Sequence, residues 1–354
     1  MIQIPAPKDL RPLTSLRFCA ALWVVLFSFW PHLDTALSPL LVAKGYLGVD
    51  LFFVLSGFIL CHVYLERFGT GQFSYKAFIR ARLARIYPLH LATLLAVMAL
   101  GLAAGFAGIA ISHNVLNWQT LLPNLLMVHA WGFTHEAGWN HPSWSISAEW
   151  FAYLTFPAYA FAAWRLRNRP LLAVLLASNF LVALHLLFPV WAGFSLTQAT
   201  FHWGALRIVP SFAYGCALYL AYRQGPLRHP LAGTCLAVAL VALSAGWLGS
   251  DTLTVLSCGS LIVALASLSD RHIPLLSSRP AVWPGEISYA IYMCCAPWLM
   301  VSTNLVARLT GTADEQFNLL IWLGIIIGLV VIAALVHHLI ERPTRQFLRR
   351  SGPQ

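Results

Sequence analysis

Four charged side chains, Arg17, Asp50, Glu149 and Arg207, stand inside long apolar stretches of a 354-residue chain. A charge at bilayer depth costs about 2.5 to 3.5 kcal/mol on insertion scales, so each marks a candidate functional site. Around them lie residues able to handle protons or anions. LTSLRFCAALWVVLFSFWPHL places Arg17 near one end and Ser28 about three turns deeper. His32 follows four residues on, sharing a face with Ser28 unless Pro31 distorts the turn. KGYLGVDLFFVLSGFIL sets Asp50 beside glycines that allow close backbone approach. PSWSISAEWFAYLTFP gathers Ser145, Ser147 and Glu149 at the opening of another stretch. FIRARLARIYPLH offers Arg80, Arg82 and Arg85, a cluster that can clamp a phosphate or pyrophosphate.

Each residue also has a structural reading. Arg17 can contact a phosphate or carboxylate, or simply snorkel to the interface. Asp50 can pair with a base, form part of a substrate site, or bridge two helices. Glu149 can serve chemistry or be the buried partner of Arg207. Arg82 and Arg85 can equally be positive anchors of a membrane loop. Tyr289 and Tyr292, three apart, can donate hydrogen bonds into a cavity or between helices. His337, His338 and Glu341 close the last apolar stretch with no further clustered ligand, so no metal site is expected there.

The elements that must hold these groups are membrane helices. Apolar residues make up 59% of the chain and charged residues only 10%, far from the usual quarter charged of a soluble domain. About ten stretches are long enough to cross the hydrocarbon: 15–33, 46–65, 87–110, 144–164, 171–190, 203–222, 231–248, 252–269, 284–306 and 319–340. An all-α polytopic bundle follows, forming one domain over 1–354 with a core of about 11–345 and short tails. Positive charge orients it. Eighteen Lys and Arg fall on one side, only Lys44 and Arg308 on the other, and Arg17 and Arg207 complete the 22. Both termini are therefore expected in the cytoplasm. The net charge of +10 reflects topology and contact with an anionic leaflet, not nucleic-acid binding.

No small-residue cleavage site follows the first stretch, which reads as a retained anchor. Seven cysteines, all within apolar stretches and without CxxC spacing, read as packing residues and not as a disulfide framework. One longer outer loop, roughly 108–143, carries His113, His129, His135 and His141. Its segment LLPNLLMVHAW is too short to span and suggests a re-entrant or interfacial piece over the bundle mouth.

Taken in order, LTSLRF, GVDLFFVLSGFIL, the RxxR segment before YP, WSISAE, ISYAIYMCCAP and the terminal IERP resemble the integral-membrane acyltransferase family 3. That family includes enzymes that O-acetylate bacterial surface polysaccharides and lipopolysaccharide O-antigen. The resemblance covers nearly the whole chain. It implies a multi-pass protein of the cell inner membrane with no bound cofactor. The implied donor is an acyl-coenzyme A, acetyl in the common case, on the cytoplasmic side. The implied acceptor is a hydroxyl of a carbohydrate or lipid-linked glycan.

Two positions depart from the family pattern. Its first helix carries a basic residue, ten intervening residues and a histidine, and counting from Arg17 lands on Ser28. In ISYAIYMCCAP the family's second histidine register falls on Cys295. A lost base typically forfeits about 10² to 10⁴ in rate. Three readings follow. The chain is an impaired member acting as an accessory or transporter-like protein; or His32 or another histidine takes the role while Glu149 orients the acceptor; or Cys295 carries the acyl group as a thioester. In the implied mechanism the donor docks on Arg17, Arg82 and Arg85, and the acceptor enters near Asp50, Glu149 and the histidine-bearing outer loop, with Ser145, Ser147, Tyr289 and Tyr292 lining the acceptor cavity.

Overall fold

The computed structural model describes residues 10–108, 115–134, 136–269, 278–312 and 314–350. His113, His135 and Arg271 lie outside the described residues. Among those described, helices dominate and the single β-bridge joins Leu33 to Phe317. Eight helical segments are long and apolar enough to cross a membrane, which makes this a polytopic helical bundle.

In chain order the helices are α1 (Arg11–Phe29), α2 (Gly48–Gly69), α3 (Tyr75–Phe106), α4 (Ser143–Leu154) and α5 (Phe156–Leu166). There follow α6 (Pro170–Ala192), α7 (Gly204–Tyr222), α8 (Pro230–Gly246) and α9 (Asp251–Leu268). The last are α10 (Arg279–Glu286), α11 (Ser288–Thr310) and α12 (Leu319–Val336), which runs through a π turn, His337–Glu341, into α13 (Arg342–Arg350).

Each of the ten apolar stretches is helical, but three differ from expectation. The fourth is broken at Thr155 into α4 and α5, with Pro157 in the first turn of α5, where a missing N–H costs nothing. The ninth begins as a separate short helix, α10, before α11. The third starts twelve residues early: Ser74 caps it by accepting from the Ala77 N–H, and α3 then runs for 32 residues. Arg80, Arg82 and Arg85 are therefore helical residues on the first turns of α3 and not loop residues. The LLPNLLMVHAW segment forms only a short helix, Leu121–Leu125, followed by turns, and does not span.

Close helix contact is centred on α2 and α7. A Cβ on Gly57 would collide with the Phe212 carbonyl oxygen, and one on Gly215 with the Val54 carbonyl oxygen. Each helix thus contributes a small residue where the other's backbone passes, the usual way apolar helices approach in lipid. The Cys216 thiol reaches the Gly57 carbonyl at 3.5 Å. All seven cysteines are free. Arg11 and Arg345, from opposite ends of the sequence, line one cavity, so both ends of the described chain meet at one end of the bundle.

Candidate active site

Two cavities meet inside the bundle. An inner chamber of about 280 Å³ is enclosed by α1, α2, α3, α4 and α11. A wider mouth of about 1020 Å³ opens at the end where the termini meet, and it holds Arg11, Arg279, Arg342 and Arg345. Thr14, Arg17 and Arg85 line both cavities and form the neck between them.

Arg17 sits six residues into α1, about 9 Å from its start at 1.5 Å per residue. Neither Arg17 nor Arg85 makes a hydrogen bond or ion pair among the described residues. Arg17 instead lies in the field of Arg85 and of two carboxylates, Glu149 and Glu341. Two cations held together without a salt bridge form a ready receptor for an anion. Arg82 points into the chamber but is engaged: Nη2 donates to the Tyr64 hydroxyl at 3.2 Å, and the guanidinium lies over the Tyr64, Phe78 and Tyr153 rings.

Glu149 projects from α4 into the chamber and accepts from Ser56 at 2.8 Å and Tyr153 at 2.5 Å. Tyr153 lies four residues on along the same helix, a signal present in the sequence. Ser56 comes from α2 and had none. The pairing of Glu149 with Arg207 that the sequence left open is not made. Arg207 is instead held by Asp50, with Nη2 to Oδ2 at 2.6 Å and Nε to Oδ1 at 3.2 Å. Arg207 also donates to the Ala199 and Tyr46 carbonyls and stacks on Trp144 at 4.9 Å. Both side chains are sealed, and neither lines the chamber. Asp50 thus stands apart from the acceptor region assigned to it.

Ser145 lines the chamber, donating to the Tyr292 hydroxyl at 2.9 Å. Tyr289 also lines it, while its hydroxyl donates to the Ile86 carbonyl on α3 at 2.7 Å, so both readings of these tyrosines hold at once. Ser147 does not reach the chamber. Its hydroxyl donates to the Met127 carbonyl and accepts from the Ala130 N–H, fastening the outer loop to α4.

Ser28 and Cys295 are brought together, yet neither lines either cavity. Ser28 Oγ donates to the Val24 carbonyl at 3.0 Å, beside the Cys295 thiol. The Ser28 and His32 alignment expected of a regular helix is lost. The chain tightens at Trp30–His32 around Pro31, and His32 Nδ1 turns to the Glu315 carbonyl at 3.1 Å. Three histidines assigned no site role from the sequence do reach the cavities: His62 in the chamber, and His337 and His338 in the mouth. Among the described residues no group of three or more His, Cys, Asp or Glu is placed to hold a metal ion.

A helical membrane bundle that sets a half-buried carboxylate, Glu149, beside Arg17 and Arg85 holds groups suited to a membrane group-transfer enzyme. The chain belongs to acyltransferase family 3, whose acyltransferase domain model matches residues 13–338, and it is accordingly a membrane acyltransferase. It is 29% identical to acyltransferase MdmB of Streptomyces mycarofaciens over 99% of this chain and 95% of that protein. It is 24% identical to the peptidoglycan O-acetyltransferase OatA of Listeria monocytogenes, over 96% of this chain but 56% of that protein. A putative peptidoglycan O-acetyltransferase of Bacillus subtilis, YrhL, is 23% identical over 85% of this chain and 50% of its own length. The chain therefore spans about half the length of these last two relatives. No solved structure matches it.

Proposed function

We propose that this chain transfers an acyl group, acetyl in the first instance, from acyl-coenzyme A to a hydroxyl of a carbohydrate or lipid-linked glycan. The donor enters the basic mouth, which lies on the cytoplasmic side of a bacterial inner membrane. The observation that carries the reading is that Arg17 and Arg85 line both cavities, the basic mouth and the chamber that holds Glu149. A polyanionic head has arginines to bind in the wide mouth, and a narrow acyl-bearing arm has a slot leading toward Glu149. The acceptor hydroxyl approaches the chamber from the opposite end, where Ser145, Tyr292 and Glu149 offer hydrogen-bonding groups. Two relatives named as acting on peptidoglycan support a glycan as the acceptor class.

The test is release of label from radiolabelled acetyl-coenzyme A by the purified full chain, with a peptidoglycan disaccharide as the probe hydroxyl. Glu149→Gln and Arg85→Ala should each abolish transfer while the protein still inserts and elutes as the unaltered chain does. Unchanged transfer in both variants would remove the site from consideration.

One further observation favours a second reading, an impaired family member. The two positions that carry histidine in the family's pattern are turned toward each other as Ser28 and Cys295, away from both cavities. Donor binding without turnover would support it.

A further inference from the structure

We propose that His337, oriented by Glu341, is the residue that moves the proton during acyl transfer; this inference rests on the acyl-transfer reading above. At the end of α12 the helix widens into a single π turn, His337–Glu341. Such turns are rare, occur mostly as single-turn bulges inside α-helices, and are frequent at functional sites. Here the turn brings His337 Nδ1 to 2.8 Å from Glu341 Oε2, with the two side chains only 8% and 6% exposed. A carboxylate on Nδ1 fixes the tautomer and ring orientation and leaves Nε2 as the basic nitrogen. That nitrogen makes no hydrogen bond among the described residues, and His337 lines the mouth beside Arg17 and Arg85. Glu341 lies close enough to act electrostatically on Arg17 at the neck and on Tyr289 in the chamber wall.

Other histidines are less well placed. His32 is tied to Glu315 at the far end of α1. His90 and His129 are buried away from both cavities. His338 also lines the mouth, but it is exposed and holds no carboxylate among the described residues. His62 lines the chamber and stacks edge-on against Tyr219 at 5.7 Å, and it is the direct competitor.

With the thioester held at the neck, where Thr14, Arg17 and Arg85 line both the mouth and the chamber, the acceptor hydroxyl reaches the carbonyl carbon through the chamber past Glu149, and its oxygen attacks as the O–H proton passes to His337 Nε2. The C–S bond of the tetrahedral adduct then breaks. Nε2–H returns the same proton to the departing sulfur, so one ester and one thiol form, one thioester and one hydroxyl are consumed, and His337 ends neutral. Arg17 and Arg85 stabilise the developing oxyanion, and Glu341 stabilises the transient imidazolium.

The experiment compares kcat and KM for radiolabelled acetyl-coenzyme A, with the peptidoglycan disaccharide probe, in the unaltered chain, His337→Asn, His337→Ala, Glu341→Gln and His62→Asn. His337→Asn keeps a hydrogen-bonding amide near Glu341 but lacks the second nitrogen. It is expected to lower kcat by about 10² to 10⁴ while KM stays within about threefold. Added imidazole, which the mouth admits, should restore part of the turnover of His337→Ala but none of that of Glu341→Gln. If His337→Asn fails to insert, His337→Gln carries the same reading. A raised KM at unchanged kcat would make His337 a donor contact and overturn the inference, as would collapse in His62→Asn alone. In both cases acyl transfer itself stands. No turnover by the unaltered chain would overturn the acyl-transfer reading and this inference with it.

Discussion

Asp50 and Arg207, separated by 157 positions in the sequence, form a doubly hydrogen-bonded ion pair that joins α2 to α7 out of reach of either cavity. Removing one partner leaves the other as an uncompensated buried charge, which costs about 3 to 5 kcal/mol. Asp50→Ala should therefore lower the detergent melting temperature sharply. Asp50→Leu combined with Arg207→Met should recover much of the loss. A single variant that melts like the unaltered protein would contradict the pair's structural role.

The same two helices set a steric prediction. Gly57→Ala and Gly215→Ala each force a methyl against the facing backbone and should cost about 1 to 3 kcal/mol. Gly324→Ala on α12 meets nothing within 4 Å and should be neutral or gain about 1 kcal/mol of helix propensity. Thermal melts of the three variants decide whether the α2–α7 approach limits stability.

Cys295 faces Ser28 and lies outside both cavities. Cys295→Ser keeps the side chain's size in a position that lines neither cavity, so transfer activity should stay within about twofold of the unaltered chain. Loss of activity, together with trapping of a labelled thioester on the unaltered chain, would instead make Cys295 an acyl carrier.

His129 gives a pH dependence. It is buried in the outer loop region, stacks on His90 at 6.0 Å and hydrogen-bonds to Ser143 at 3.1 Å. Burial, with His90 a lesser cause, pushes its pKa down to about 3. The unfolded chain then binds a proton below about pH 6.5 that the folded chain refuses. This contribution is complete above that pH and is lost as the pH falls toward 3, at no more than about 1.4 kcal/mol per unit. Melting temperature should drop between pH 7 and 5 in the unaltered chain, and less so in His129→Gln. Equal slopes would refute the assignment.

Much of the candidate site was legible because hydrocarbon makes exceptions conspicuous. Arg17, Arg85 and Glu149 were found as charges in apolar or RxxR segments, and they meet at the neck and chamber. Ser147 was misplaced because a serine on α4 looks alike whether it faces a cavity or a loop carbonyl. His337 was visible only as one of a histidine pair near a glutamate. A π turn, which shifts the register of side chains around the axis, has no periodic signature in the letters.

Sequence alone determined that the chain crosses the membrane many times as helices, because the bilayer leaves no other way to satisfy the backbone of long apolar stretches. It also determined the family, through motifs that run in order from LTSLRF to IERP. Tertiary structure alone decided which charges pair and which stay open to a ligand. Asp50 chose Arg207 over any substrate, Glu149 took Ser56 and Tyr153, and among the described residues Arg17 and Arg85 were left without an ion pair. These choices depend on how helices far apart in sequence are rotated and spaced against one another, and packing sets that rotation where hydropathy does not.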